Sequence, residues 1–310
     1  MILFSLPHYS YGDLEIDNTS YALRYGKSAD FLDNRIGSRL VYEFSSFDAL
    51  LNAIKDCVGR LFDSNNVSAV DIGSIIVVGQ AKLSSQIPHL AARVHSLFDF
   101  PEQCLSLDLG HGCAGFIVGL DVAYNLANSL LKPSLLITCD PYRKILNPSD
   151  FSTNLLFSDA VSATLIGDNI GQFSCSNFQH MTYSESWDSI EYAQGSYLQM
   201  NGRLILDFGK RIVAPALNRY IENNILDSEC TVLPHHGSRI VVESLSRATS
   251  ASTHVLWDES FRGNSISSSI PISISNLQKL LTSSSEFVMI GFGVGLSTSI
   301  VTSTPYDRQS

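Results

Sequence analysis

The sequence is poor in charged residues and has no long apolar run. Only 16% of its 310 residues are Asp, Glu, Lys or Arg, and no apolar stretch approaches the roughly 20 residues that span a bilayer. The opening "MILFSLPHYS" lacks the basic segment of a signal peptide. The net charge of −10 argues against a nucleic-acid partner. These absences predict a cytoplasmic protein that binds neither membrane nor nucleic acid.

Metal-ligand and redox motifs are missing as well. None of the six cysteines forms C-x-x-C or stands at zinc spacing from a histidine, so we expect no metal site. Disulfides are not expected, because no secretory signal accompanies the cysteines. The 45% of hydrophobic residues is enough for a large core. The low charge also suits a chain that buries part of its surface against a second subunit.

Strands and helices alternate along the first half. Short apolar runs bounded by turn residues predict strands at 74–79, 104–109 and 134–140. The segment 113–131 repeats apolar residues at spacings of three and four, which predicts a helix. A second amphipathic helix is predicted over 45–62, capped by Ser45 or Ser46.

The second half repeats this pattern. Strands are predicted at 230–235 and 253–258, two more within 287–303, and helices at 209–226 and 239–248. The serine-dense 265–275 carries alternating isoleucines and is predicted to be ordered. The alternation indicates an α/β fold of two similar halves that meet near residue 167 and share a continuous core.

One cysteine lies where a strand turns into a helix. In "SLDLGHGCAGFIVGLDVA" Cys113 is flanked by glycines and precedes the helix. Unpaired N–H groups at a helix start favour an anion and lower a thiol pKa, which predicts a nucleophile. Taken alone, the stretch suits a small buried cysteine at a tight turn equally well.

Two other loops carry groups that could act with this cysteine. "VLPHHGSRI" places His235 and His236 after an apolar strand, where a base needs to stand. "RGNSISSSIPI" places Asn264 in a turn, a position that asparagine also favours for structural reasons. Strand ends of an α/β core can bring three such loops together.

Together these segments resemble one family. "DLGHGCAGF" (108–116), "LPHHGSRI" and "GNSISSSIPI" resemble the Cys, His and Asn segments of β-ketoacyl-acyl-carrier-protein synthase III, a member of the thiolase superfamily. Further similar segments occur in the same order as in the family; they are "FLDNRIGSR", "LLFSDAVSATLI", "YLQMNGRLILDF" and "GFGVGLS". They span nearly the whole chain.

The resemblance implies a five-layered αβαβα fold built from two pseudo-repeats, normally a homodimer. Residues 1–167 would form the thiolase-like half that carries the nucleophilic cysteine. Residues 168–310 would form the half that carries the histidine and the asparagine.

The resemblance also implies a two-step reaction. Cys113 would take an acyl group from a thioester, and the enolate of a decarboxylated malonyl thioester would then attack it. His235 and Asn264 would hold the enolate oxygen. His236 stands at the position where the family has Gln. The backbone N–H groups of Cys113 and Val294 would form the oxyanion hole.

Several positions of the substrate site depart from the family. Phe31 and Phe151 stand where a Trp and an Arg hold the adenine of coenzyme A, so the cationic partner is missing, while Arg35 is retained. This favours acyl carrier protein over coenzyme A as the donor, with no permanently bound cofactor. The family residue that caps the acyl pocket of the partner subunit aligns near Ile87. The pocket itself would be lined by Leu156, Met200, Leu206 and Gly237. Leu206 replaces a usual Phe, which suggests a wider acyl tunnel.

Arg239 matches the arginine that docks acidic carrier proteins, and Arg247 would complete a local basic patch. Acyl and malonyl thioesters are the expected substrates, in a specialised fatty-acid or polyketide-type pathway. Two alternatives remain: an acyltransferase that passes the acyl group to an O, N or S nucleophile without decarboxylation, and a non-catalytic partner subunit.

Overall fold

The computed structural model describes residues 1–81, 87–225 and 229–306. Within these ranges the strands are β1 (Ile2–Phe4), β2 (His8–Tyr11), β3 (Leu14–Asp17), β4 (Leu40–Glu43), β5 (Ser74–Val78), β6 (Leu105–Leu109), β7 (Ser134–Cys139), β8 (Ala160–Asp168), β9 (Phe173–Thr182), β10 (Ile190–Glu191), β11 (Gln199–Met200), β12 (Cys230–Pro234), β13 (Thr253–Val255), β14 (Phe287–Gly293) and β15 (Ser297–Pro305).

The helices of the same ranges are α1 (Asn18–Arg24), α2 (Ala29–Phe31), α3 (Phe47–Asn65), α4 (Leu90–His95), α5 (Gly115–Leu130), α6 (Phe151–Leu156), α7 (Gly202–Phe208), α8 (Ala214–Asn224), α9 (Arg239–Ala248), α10 (Ser269–Asn276) and α11 (Gln278–Thr282). Two π-helical segments, Leu32–Ile36 and Gly209–Val213, continue α2 and join α7 to α8. None of the helices in the described part of the chain is long and apolar enough to cross a membrane.

The two halves have the same strand order. One sheet path runs β13-β12-β14-β15-β9-β1-β8-β7-β5-β6, with β2 paired to β8. The main strands are β1, β5, β6, β7 and β8 in the first half and β9, β12, β13, β14 and β15 in the second. When the strands of each half are numbered 1 to 5 along the chain, each half has the order 3-2-4-5-1 from the edge of the sheet path to its middle. The strand order repeats after β8, between Asp168 and Phe173. The division into two domains at residue 167 stays a prediction.

The sheets and helices form five layers, as predicted. Helix α5 packs between the halves, contacting β5, β7 and β8 of the first and β14 and β15 of the second. Its Phe116, Leu120 and Ala123 share a buried cluster with Phe287 and Met289 of β14. Helix α3 covers the outer face of the first half, and α8 and α9 cover that of the second. This is the αβαβα arrangement.

Local sequence signals explain some of the helix boundaries. Ser46 caps α3, because its Oγ accepts the N–H of Ala49 at 3.1 Å. The helix predicted over 209–226 passes through the π-helical segment and continues to Asn224, and the predicted last residue lies outside the described residues. Pro215 near the start of α8 has no N–H to donate to the previous turn, which accounts for irregular hydrogen bonding there.

The serine-dense segment is ordered, as predicted, and it is buried. It forms a 3₁₀ turn (Ile266–Ser268) and α10. Its serines bond inside the core: Ser268 Oγ lies 2.7 Å from Thr138 Oγ1, and Ser269 Oγ accepts the N–H of His236 at 2.8 Å. Serines that have partners can be buried at little cost, so this segment packs in the central layer.

Candidate active site

Cys113, His235 and Asn264 line one cavity of about 450 Å³. The cysteine comes from the first half of the chain, and the other two residues come from loops of the second half. Seven further residues predicted for the site line the same cavity: Phe31, Arg35, Leu156, Met200, Leu206, Gly237 and Val294. The structure therefore brings together residues that lie up to 263 positions apart.

Cys113 lies in the turn from β6 to α5 and is 7% exposed. The turn between β14 and β15 approaches it so closely that a methyl group on Gly293 would lie 2.6 Å from Sγ. The backbone N–H groups of Val294 and of Cys113 itself lie beside the sulfur and lower the pKa of the thiol. Two backbone N–H groups are thus present next to the thiol.

The thiol pKa is shifted in the opposite direction to our prediction. Burial raises the pKa of Cys113 to about 12, with a further increase from the Asp140 charge, despite the two N–H donors that lower it. The helix begins at Gly115, so Cys113 lies just outside its first turn. Because loss of water outweighs the helix end, the resting nucleophile is a neutral thiol.

The two adjacent histidines have different surroundings, and only His235 lines the cavity. His235 follows β12 and donates its N–H to the Ile290 carbonyl at 2.7 Å, and its ring lines the cavity. His236 Nε2 accepts the Asp258 N–H at 3.0 Å and its ring packs on Trp257, so it is part of the core. Burial lowers the pKa of His235 to about 3, with a smaller contribution from the charge of His236. The imidazole in the cavity is therefore neutral.

Asn264 is fixed on both sides by backbone hydrogen bonds. Its N–H donates to the Leu156 carbonyl at 2.8 Å and its carbonyl accepts the Ser158 N–H at 3.0 Å. Its Oδ1 accepts the N–H of Ile266 at 2.9 Å. Among the described residues nothing bonds its Nδ2 amide, so this NH₂ group is available to a ligand in the cavity.

The glycine before Asn264 is required by the fold. Gly263 has a φ of +86°, and a Cβ there would lie 2.8 Å from Val41 Cγ1 and 3.0 Å from the Leu156 carbonyl. We expect Gly263→Ala to lower the free energy of unfolding by about 3 kcal/mol, since backbone strain and overcrowding add. Urea unfolding followed by circular dichroism measures this loss.

Gly195 provides a matched control for that substitution. It has the same φ of +86° but no atom within 4 Å of an added Cβ. Gly195→Ala should therefore cost about 1 kcal/mol, from backbone strain alone. Equal losses in the two variants would show that the close contacts around Gly263 carry no energy.

The mouth of the cavity departs from the prediction in two ways. Phe151 does not line the cavity and stacks on Tyr25 at 5.5 Å between ring centroids. The prediction that a cationic partner is missing is wrong, because Lys27 Nζ lies 5.3 Å from the Phe31 ring centre and 4.9 Å from that of Phe151. The four-residue spacing from Lys27 to Phe31 is the sequence signal that marks this contact.

Three other predicted residues lie outside the cavity. Ile87 is 86% exposed and does not line the cavity of its own chain. Arg239 is ion-paired with Glu243 at 3.6 Å and Glu259 at 3.3 Å, and Arg247 is paired with the same Glu243 at 2.9 Å. The predicted basic patch is thus partly neutralised, and these roles stay predictions.

Sequence reasoning missed several residues around the nucleophile. Tyr142, Phe157 and Ile190 also line the cavity. Asp140, fully buried at the end of β7, accepts the N–H groups of Gln80 at 2.7 Å and of Ser267 at 3.3 Å. Burial raises the pKa of Asp140 to about 6. The position of Asp140 as the last residue of the predicted strand 134–140, with Tyr142 just after it, is the sequence signal that could have found them.

The sequence is similar to a known protein family and to characterised members of it. The family described as 3-Oxoacyl-[acyl-carrier-protein (ACP)] synthase III matches residues 107–183. The chain is 25% identical to a β-ketoacyl-[acyl-carrier-protein] synthase III of Streptococcus agalactiae, over 94% of this chain and 95% of that protein.

Solved structures share the fold. A 3-oxoacyl-(acyl-carrier protein) synthase from Burkholderia xenovorans superposes with a TM-score of 0.85 at 22% identity, covering 98% of this chain and 93% of that one. The priming β-ketosynthase of the R1128 polyketide biosynthetic pathway gives 0.82 at 17% identity, covering 98% and 96%. The chain is thus similar to ketosynthase III proteins over nearly its whole length, with the family match in the segment that contains Cys113, and it shares the fold of their solved structures.

Proposed function

We propose that this enzyme loads an acyl group onto Cys113 and condenses it with the enolate of a decarboxylated malonyl thioester. The observation that supports this most directly is the composition of the cavity. A thiol with two backbone N–H groups beside it, a neutral imidazole and an available carboxamide NH₂ all line one cavity.

In the loading step the thiol sulfur attacks the thioester carbonyl. The neutral imidazole of His235 takes the thiol proton as the carbon–sulfur bond forms. The N–H groups of Cys113 and Val294, which lie beside the sulfur, hold the oxyanion of the tetrahedral intermediate. Collapse expels the donor thiol, which takes the proton back from His235.

In the condensing step a malonyl thioester enters the same cavity and loses carbon dioxide. The electron pair of the broken carbon–carbon bond forms an enolate, whose oxygen accepts hydrogen bonds from His235 and from Asn264 Nδ2. The enolate carbon attacks the acyl thioester on Cys113. The sulfur leaves as a thiolate and takes a proton from solvent water, and a β-ketoacyl thioester is released.

The mouth supports a carrier protein as the donor. The Phe31 and Phe151 rings, which would stack on a nucleotide base, already flank the Lys27 ammonium. Arg203, Lys210 and Arg211 are exposed on α7 and the π-helical segment after it, and Gly202, Ile205 and Leu206 of the same stretch line the cavity. No ion pair in the described part of the chain involves these three cations.

Charge reversal tests this docking surface. We expect Lys210→Glu to raise KM for an acyl-carrier-protein donor about fivefold at low salt, because an exposed attraction becomes a repulsion. KM for the small acyl-pantetheine donor should change less than twofold. Lys279→Glu, the same charge change on α11, is the control, and equal effects of both variants on the carrier-protein donor would contradict the docking site.

We also propose a homodimer. Strand β6 is the end of the main sheet path, and it carries Leu105, a large apolar residue that is 44% exposed. Ile87, also exposed, would reach the partner's cavity only in such an assembly. Sedimentation velocity at micromolar concentration gives the oligomeric state directly, and a monomer throughout would refute this part of the proposal.

The central experiment follows both steps on one sample. Purified protein is given an acyl thioester and then malonyl-carrier protein labelled in its free carboxyl group. Mass gain on Cys113 followed by release of labelled carbon dioxide and a β-ketoacyl product is expected. Acyl transfer to an added alcohol, amine or thiol without carbon dioxide release would overturn condensation as the function.

A further inference from the structure

Asp140 is a buried carboxylate beside the active site that the proposed reaction does not use. It follows β7 directly and is fully buried. Its Oδ1 accepts the N–H of Gln80 at 2.7 Å and that of Ala81 at 3.4 Å, and its Oδ2 accepts the N–H of Ser267 at 3.3 Å. Burying a charge is costly unless it is hydrogen-bonded, so these N–H groups offset part of the cost of its burial.

The donors come from both halves of the chain. Gln80 follows β5 in the first half, and its side chain lies against the turn that carries the nucleophile, since a Cβ on Gly112 would lie 2.7 Å from its Oε1. Ser267 lies in the second half, three residues after Asn264. The Asp140 carboxylate therefore joins a segment beside the nucleophile to the turn that carries the asparagine.

The turn after Asn264 has a strained backbone. Ile266 has a φ of +52° and is 1% exposed. Branching at Cβ makes a positive φ unfavourable, and such a residue persists only where the surrounding structure fixes it. Of the other non-glycine residues with positive φ in the described ranges, only Leu296 is buried, and it lies two residues after Val294. Both buried cases thus lie beside predicted groups of the site.

The peptide groups on the two sides of Ile266 are each held by a hydrogen bond. The Ile266 N–H donates to Asn264 Oδ1 at 2.9 Å, which leaves the Nδ2 amide to a ligand. The next N–H along the chain, that of Ser267, donates to Asp140. Rotation of Ile266 out of its left-handed conformation would move both N–H groups. The bond to Asp140 therefore opposes a change in the orientation of the asparagine side chain.

We infer that Asp140 is a positioning residue for the condensing step, and that it fixes the Asn264 carboxamide through the strained turn at Ile266. This inference rests on the proposed function, because the Nδ2 donor serves the enolate and not the loading step. Asp140 does not line the active-site cavity, so it acts only through its neighbours. Its loss should slow condensation while acyl loading of Cys113 continues.

Asp140→Asn tests this at almost unchanged side-chain volume. The amide keeps one oxygen, but its NH₂ faces an N–H that a carboxylate oxygen accepts in the unmodified protein. We expect release of labelled carbon dioxide from malonyl-carrier protein, measured on pre-acylated enzyme, to fall about tenfold, because a small displacement of a positioned group is enough for such a loss. Acyl loading should stay within threefold. A ratio of condensation to loading within twofold of that of the unmodified protein would overturn the inference.

Asp159→Asn is the matched control. Asp159 is equally buried, and its carboxylate accepts the backbone N–H groups of Phe44 at 3.1 Å and Arg143 at 3.0 Å. These partners all lie in the first half of the chain. The variant should lower Tm but leave the ratio of condensation to loading within twofold. A tenfold fall here as well would show that loss of any buried carboxylate has this effect, and would overturn the assignment to Asp140.

A pH series on the unmodified protein needs no variant to fold. Burial raises the pKa of Asp140 to about 6, so the group is ionised at pH 8 and protonated at pH 5, where one oxygen carries a proton and no longer accepts an N–H. The ratio of condensation to loading should fall at least threefold from pH 8 to pH 5. The Asp140 charge also reaches Cys113, Cys139 and Tyr142, and burial raises the pKa of each, so these three stay neutral throughout.

Other groups near the turn are separated by the same series. Burial lowers the pKa of His235 to about 3, below the range used. Burial raises the pKa of Asp159 to about 7, so the series is repeated on Asp159→Asn. Ser268 also ties the turn to the first half, since its Oγ lies 2.7 Å from Thr138 Oγ1, but hydroxyl groups do not titrate in this range.

The outcomes of the pH series separate the inference from the proposed function. A constant ratio from pH 5 to pH 8 in the unmodified protein would overturn the inference. So would an equal pH dependence in Asp140→Asn, or its disappearance in Asp159→Asn. If the unmodified protein loads Cys113 but releases no carbon dioxide at any pH, the proposed function itself is refuted.

Discussion

Cys113→Ala is expected to abolish acyl loading, with a loss of about 10⁴-fold or more in rate. The sulfur is the atom that bonds to the acyl carbon, and no other described residue of the cavity carries a thiol. The two backbone N–H groups beside it belong to Val294 and to residue 113 itself, so the substitution removes the sulfur and leaves these donors in place. Intact-mass spectra after incubation with an acyl thioester measure the result.

Cys139→Ala is the matched control for this change. Cys139 is an equally buried thiol at the end of β7, and it does not line the cavity. Its loss should leave loading within a few-fold of the unmodified protein. If both variants lose loading, the effect comes from packing and not from nucleophilic chemistry, and the assignment of Cys113 fails.

The thiol shows why a helix end alone is a weak predictor of reactivity. A favourable helix N-terminus contributes about 0.3–1 kcal/mol, and at most ~2 kcal/mol. A pKa moved from 9.0 to about 12 corresponds to about 4 kcal/mol against the thiolate. Burial therefore decides the resting state of the thiol, which is why the proposed mechanism has the thiol proton leave during attack, with His235 as the acceptor.

Much of the fold could be predicted because it depends on local patterns. The strands β5, β7 and β12 and the helices α3, α5 and α9 follow apolar periodicity and caps that are visible in the sequence. The five layers followed from the family resemblance. The repeat of strand order in the two halves could not be read from periodicity, because it depends on which strands pair across long sequence distances.

The site was predictable where its chemistry lies in short segments and unpredictable where it depends on packing. Cys113 and Asn264 stand in recognisable turns. The family resemblance selects His235 over His236, but the physical reason, which is that the His236 ring accepts the Asp258 N–H across 22 residues, is not visible in the sequence. Lys27 at the mouth likewise acts through ring contacts with a residue far along the chain. Such contacts exist only once each half of the chain has folded.

Asn264→Ala should spare acyl loading and lower condensation by about 10²- to 10³-fold. Loading requires Cys113 and the backbone N–H groups, whereas the enolate oxygen of the second step needs the Nδ2 donor. Release of labelled carbon dioxide from malonyl-carrier protein, measured on pre-acylated enzyme, isolates that step. Acyl loading measured on the same preparation shows whether the cavity is intact.

Asn264→Asp separates the donor from the structural role of this side chain. The carboxylate keeps an oxygen that can accept the Ile266 N–H, now bonded by Oδ1 at 2.9 Å, but it has no NH₂ to donate. If the donor matters, the Asp variant should fold and load normally yet condense as poorly as the Ala variant. If the Asp variant condenses at the unmodified rate, the enolate is not held by Asn264, and the cavity would be better explained as that of an acyltransferase that never forms one.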